Sequence, residues 1–214
     1  MANATEGSDS VAHRLLTTEL LQSVRLNALL FCDPVEYIYN PLEYAYDVHS
    51  DFVHKFCTST KKILFLGMNP GPWGMSQTGV PFGEVKIVRE WLRISGHVGR
   101  PQKEHPSRQV LGLECKRSEV SGRKFWGLFQ KLCGDPDTFF QHAFVYNYCP
   151  LAFMTNSGKN ITPAELKIGS IPHPSPRNFS SKNWPEETIK RLQELDILTM
   201  LSSNTNIVPM KQTW

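Results

Sequence analysis

The chain of 214 residues lacks the marks of several large functional classes. No stretch approaches the roughly eighteen consecutive apolar residues of a membrane span, and the N-terminal region shows no basic segment followed by an apolar run. A membrane-embedded or secreted protein is therefore not expected, and an intracellular setting is. The five cysteines, Cys32, Cys57, Cys115, Cys133 and Cys149, are odd in number, widely spaced and never form C-x-x-C. That pattern favours reduced thiols over disulfides, a zinc site or an iron–sulfur cluster, so neither a metal nor another cofactor is expected. No internal repeat and no low-complexity tract is present. The glycine-rich stretches match neither G-x-x-x-x-G-K-S/T nor G-x-G-x-x-G, which disfavours nucleotide hydrolysis and dinucleotide binding. The absence of G-x-S-x-G removes the exposed serine of an acyl-transfer enzyme.

What is present describes a folded α/β domain. Apolar residues make up 40% of the chain, too many for a disordered polymer, and charged residues a further 20%, enough for a solvated surface. One domain over residues 13–201 is expected, with a disordered N-terminus over 1–12 and a tail over 202–214. The formal charge of +3 hides an asymmetry. Residues 1–60 carry three basic and eight acidic side chains, whereas residues 86–131 carry eleven basic and four acidic ones. The second segment reads either as a face that attracts a polyanion such as nucleic acid or as an ordinary solvated surface.

Periodicity places the elements. Leu16, Leu20 and Val24 recur every fourth residue from Arg14 to Leu30, with Leu21 beside them, predicting an amphipathic helix that packs through that stripe. Ile63-Leu64-Phe65-Leu66 reads as a buried strand running into a stiff loop, Gly67-Met68-Asn69-Pro70-Gly71-Pro72-Trp73-Gly74, and then a helix from about Glu84 to Ile94. A helix over Arg123–Cys133 precedes a second strand, Ala143–Asn147, and another helix starts near Pro185. Strand, rigid loop and helix is the way α/β sheets present ligand sites, and both strands end on an asparagine.

Three side chains could do chemistry: Asn69, Asn147 and His173, the last locked among Pro172, Pro174 and Pro176. A carboxamide cannot abstract a proton at neutral pH, but its oxygen can orient a water and its NH2 can read a carbonyl edge. With a histidine to stabilise a departing anion, such a set suits positional and electrostatic catalysis. Each residue also has a plain structural reading, the asparagines as turn caps, His173 as a loop histidine and Phe82 as core.

The run from Gly67 to Met75, continued by Thr78-Gly79-Val80-Pro81-Phe82-Gly83, resembles the first motif of the single-strand-selective monofunctional uracil-DNA glycosylases. Asn147-Tyr148-Cys149-Pro150-Leu151 and His173-Pro174-Ser175-Pro176-Arg177-Asn178 resemble two further motifs in the same order. The resemblance implies a three-layer α/β/α sandwich around a parallel sheet and the removal of uracil or 5-substituted uracils, such as 5-hydroxymethyluracil, from single- or double-stranded DNA. It implies that Asn69 orients the attacking water and His173 stabilises charge on the pyrimidine. Phe82 would stack on the flipped base, for roughly 1 to 3 kcal/mol, and Asn147 would bond its Watson–Crick edge. Met68, Gly71 and Met75 would complete the base pocket. Ser157, Gly158, Lys159 and Asn160, in a polar loop, would grip the DNA with Ser175, Arg177 and Lys182. No lysine in the motifs could form a Schiff base, so strand cleavage is not expected. The partner would be uracil-containing DNA, the protein a monomer and its location the nucleus.

The match breaks after Leu166. Thr162-Pro163-Ala164-Glu165 forms a good helix start, yet Lys167-Ile168-Gly169 follows at once and His173 arrives six residues after Lys167. Family members carry a helix, a strand and a second helix here, so the resemblance implies a parallel sheet short by one strand. The alternative to an active glycosylase is accordingly an inactive or unstable isoform that retains only DNA binding.

Overall fold

A computed structural model describes residues 10–31, 33–162, 183–194 and 198. The chain is a mixed α/β structure. Helix α1 (Val11–Asn27) is capped by Ser10, whose hydroxyl accepts from the His13 N–H at 3.1 Å. Strand β1 (Tyr37–Tyr39) and helices α2 (Pro41–Tyr44) and α3 (Tyr46–Phe56) follow, then strand β2 (Ile63–Gly67) and the short helix α4 (Met75–Thr78). After a π-turn over Ile87–Trp91 come α5 (Val120–Cys133), α6 (Pro136–Phe140), β3 (Ala143–Asn147), β4 (Ala152–Met154), β5 (Asn160–Ile161) and α7 (Trp184–Glu194).

β2 and β3 pair in parallel over their full length, Ile63 opposite Ala143 and Gly67 opposite Asn147. Helix α5 covers one face of this pair, and α3 covers the other over β3. Phe65 meets Phe125 and Phe129 of α5 at centroid distances of 5.6 and 5.1 Å, while Phe144 stacks on Phe52 of α3 at 5.2 Å. Phe56 and Phe140 stack at 4.0 Å and join the two sides. This aromatic centre makes the domain core, and such pairs stabilise beyond their area by about 1 kcal/mol each.

Several expectations are corrected here. Strand β2 is buried on one face only: Ile63 and Phe65 lie in the core, but Leu64 and Leu66 are 59% and 43% exposed. Helix α1 starts three residues earlier than expected and buries Ala12, Leu16, Glu19 and Ser23, leaving Leu20, Leu21 and Val24 exposed. Polar partners set this rotation. His49 Nε2 meets Glu19 Oε2 at 2.9 Å, Asn40 Nδ2 donates to Ser23 Oγ at 3.2 Å, and both interactions are buried. A buried charge without its partner costs more than an exposed leucine, so the polar face turns inward. The helix expected over Glu84–Ile94 is instead one tight turn ending in the π-turn, closed by Leu92 N–H on the Ile87 carbonyl.

A second, antiparallel sheet, β1–β4–β5, was not expected. Its strands have two or three residues each, too short for a periodic signal. It takes in Asn160, which the sequence assigns to a loop. No described helix is long and apolar enough to cross a membrane.

Candidate active site

The parallel register brings the two asparagine-bearing strand ends side by side. Beyond β2 and β3 the loops are stitched together: Tyr148 N–H donates to the Gly67 carbonyl at 2.8 Å and Cys149 N–H to that of Met68 at 2.9 Å. Asn69, two residues beyond β2, donates its Nδ2 to the carbonyls of Leu151 at 3.4 Å and Ile161 at 3.2 Å. Both amide protons are thereby directed to backbone acceptors. Its Oδ1 has no donor among the described residues, leaving an acceptor at the carboxyl end of the sheet.

Asn147 is buried beneath this loop and donates its Nδ2 to Met75 Sδ at 3.0 Å. A thioether is a weak acceptor, so it orients the amide without satisfying it. The position of the Asn147 Oδ1 explains Gly67. A Cβ there would lie 2.2 Å from that oxygen and 3.3 Å from the Phe82 ring. Met75 thus touches Asn147 and is itself buried.

Phe82 is half-buried with φ 54°, the left-handed region that a phenylalanine rarely occupies. The conformation turns its ring onto Phe125, 4.5 Å away and 9° from parallel. Gly122 admits the close approach: a Cβ there would meet the Phe82 carbonyl oxygen at 2.1 Å. Phe125 therefore backs the aromatic proposed to stack on substrate, a role with no sequence signal beyond its place in α5.

Two further residues, neither anticipated, pin the loop. Gln77, fully buried, donates to the carbonyls of Pro72 and Gln109 at 3.0 Å each and accepts from Leu111 N–H at 2.8 Å. Glu119 lies against Gly71 and Gly74, where added Cβ atoms would fall 2.9 Å from its Oε2 and 2.8 Å from its Cγ. Burial pushes the Glu119 carboxyl up, and the N–H groups of Ser121 and Trp73 oppose the rise. The approaching carboxylate is 45 or more residues away in sequence and carries no local signal.

The loop between β4 and β5 holds the expected backbone-gripping residues. Ser157 and Lys159 are exposed, while Gly158 has φ 73° and packs on the His105 ring, 2.8 Å from Cε1 for an added Cβ. Asn160 lies half-buried in β5. His173, Ser175, Arg177 and Lys182 lie outside the described residues, as does the junction between Leu166 and Lys167. The four described cysteines, Cys57, Cys115, Cys133 and Cys149, are free thiols, and burial raises Cys133 to about 11.

The basic segment is less bare than its charge count suggests. Of its eleven cations, Lys86, Arg89, Arg93, Arg100 and Lys103 pair with Glu90, Glu114, Asp135, Glu104 and Glu36. Such exposed pairs contribute little stability, but they cancel field.

No family model matches the chain. It is 41% identical to the rat protein named single-strand selective monofunctional uracil-DNA glycosylase, over 94% of this chain and 90% of that one, and a mouse protein of the same name gives the same figures. A bovine protein of that name is 41% identical over 91% of this chain and 90% of its own. Among solved structures, wild-type SMUG2 of Pedobacter heparinus aligns with a TM-score of 0.46 and 17% identity, over 90% of this chain and 71% of that one.

Proposed function

Because this chain belongs to the single-strand-selective monofunctional uracil-DNA glycosylase family, we propose that it hydrolyses the N-glycosidic bond of uracil in DNA and leaves an abasic site. We include 5-substituted uracils, and both single- and double-stranded DNA, among its substrates. The nucleotide is extruded before reaction, because a base within a duplex is out of reach, and unpairing costs a few kcal/mol. Water held on Asn69 Oδ1 attacks the sugar carbon while the bonding pair leaves with the pyrimidine. His173 stabilises that developing anion. Phe82, backed by Phe125, stacks on the base, and Asn147 exchanges its weak sulfur acceptor for a pyrimidine carbonyl. An asparagine at position 69 activates water weakly, so leaving-group stabilisation carries much of the rate.

The observation that carries this reading is the orientation of Asn69, both of whose amide protons point to backbone carbonyls while its oxygen has no described donor. The test is release of uracil from labelled single- and double-stranded oligonucleotides, with alkali revealing abasic sites, and 5-hydroxymethyluracil as second substrate. Alkali-dependent cleavage is expected, and cleavage without alkali would contradict a monofunctional reaction. We further propose action as a monomer in the nucleus, where the substrate resides.

A second reading, a DNA-binding form without turnover, is favoured by one specific pair of observations. The alignment with the rat relative runs over 251 positions, more than this chain has residues, so some of the relative's positions have no counterpart here. Leu64 and Leu66 stand exposed on the sheet. A folded chain that binds uracil-containing DNA but releases no base would support this reading over the first.

A further inference from the structure

Six cations of the basic segment have no ion pair among the described residues: Arg108, Lys116, Arg117, Arg123, Lys124 and Lys131. Two of them converge on one side chain. The Arg108 and Arg117 guanidinium carbons stand 5.2 and 4.4 Å from the Trp73 ring centroid. They therefore lie within about 10 Å of each other, comparable with the Debye length of about 8 Å, so they contribute to one positive field. The nearby Glu119 carboxyl is turned to backbone N–H groups beneath the loop.

Arg108 is a fixed part of this cluster. Its Nε donates to the Gly158 carbonyl at 3.0 Å and its Nη1 to that of Ser107 at 3.2 Å, while Tyr39 Oη donates to its own carbonyl at 3.0 Å. It thus ties the Asn69-bearing loop to the β4–β5 loop that carries Ser157 and Lys159. Arg117 is exposed and, among the described residues, is held over the indole by cation–π attraction. Trp73 lies four residues after Asn69, on a loop stiffened by Pro70 and Pro72.

The geometry points to Arg108, Trp73 and Arg117 as a clamp for the sugar–phosphate backbone of the DNA strand flanking the extruded nucleotide. Trp73 is the mount that keeps two guanidiniums at the lip of the site; no described carboxylate pairs with either, and phosphate supplies the counter-charge. The inference rests on the glycosylase reading for its ligand, a polyanionic strand, but not for its chemistry. Guanidinium suits the role because its planar fork can bond two phosphate oxygens at once.

The test is fluorescence anisotropy of the full chain with a labelled single-stranded oligonucleotide, with and without one uracil, across a salt series. Arg117→Gln removes one cation from an exposed position. It is expected to make the slope of log Kd against log salt shallower by about 0.7, equivalent to roughly threefold less loss over a fourfold rise in salt. The effect should be equal for both oligonucleotides, as for a phosphate contact. Lys131→Gln, about 17 Å along α5 from its first residue, is expected to leave the slope unchanged. Trp73→Ala should weaken binding and Trp73→Phe should restore most of it. An unchanged slope in Arg117→Gln, or an equal change in Lys131→Gln, would overturn the clamp, as would absence of salt-dependent binding by the parent. Uracil release measured on the same preparations separates the two ideas: release with an unaltered slope sinks the clamp alone, and an altered slope without release sinks the glycosylase reading alone.

Discussion

The side-chain oxygen of Asn147 occupies the space over Gly67, 2.2 Å from where a Cβ would stand. The two residues are register partners in the parallel pair, so one strand has given up its side chain for the other's carboxamide. Gly67→Ala is expected to displace that carboxamide and the Phe82 edge while leaving the sheet paired. A misplacement near 1 Å can cost about 100-fold in rate, and kcat/KM for uracil release should fall by about that factor. A variant with parental kcat/KM would show that Asn147 does not need its present position.

Asn69 holds the Leu151 and Ile161 carbonyls at either end of the β4–β5 hairpin and, in the proposed reaction, the water as well. Asn69→Ala should abolish release while sparing DNA affinity, and the loss of two hydrogen bonds should lower stability by about 1 to 2 kcal/mol. Equilibrium unfolding in urea checks the second figure. Retained release would remove Asn69 from the chemistry.

The buried contact between Glu19 and His49 fixes the rotation of α1, and His49 Nδ1 also meets the Gly79 carbonyl at 2.8 Å. Removing one partner of a buried pair costs about 3 kcal/mol or more. Glu19→Ala should lower the urea midpoint accordingly with an unchanged m-value. A loss below about 0.5 kcal/mol, the range of ordinary surface changes, would mean that the exposed leucine stripe, not this pair, decides the packing of α1.

Glu119 makes stability depend on pH. Its folded pKa is raised by burial, so the folded chain holds this proton more tightly than the unfolded chain. Its favourable contribution is complete below the unfolded value of about 4.3 and is lost as pH rises through the raised folded value. Thermal melts from pH 4 upward should show a decline in the parent that Glu119→Gln lacks. Parallel curves for the two proteins would show that the carboxyl titrates as it does in water.

The sequence alone determined β2, β3 and α5, because a short apolar run, an aromatic strand and a 3.6-residue pattern are local signals. It also determined the family, through three ordered motifs, and placed one asparagine at the end of β3 and another two residues beyond β2. Local signals end there. Which face of α1 turns inward depended on His49 and Asn40, residues met only after the chain folds back. Glu119 and Phe125 support the loop from elements distant in sequence, and three of the eleven central cations, Arg89, Arg93 and Lys103, found carboxylates that spacing did not reveal. Side-chain periodicity reports how an element meets water. Close contacts, ion pairs and the direction of a carboxamide depend on where several elements meet, and only the tertiary structure sets that.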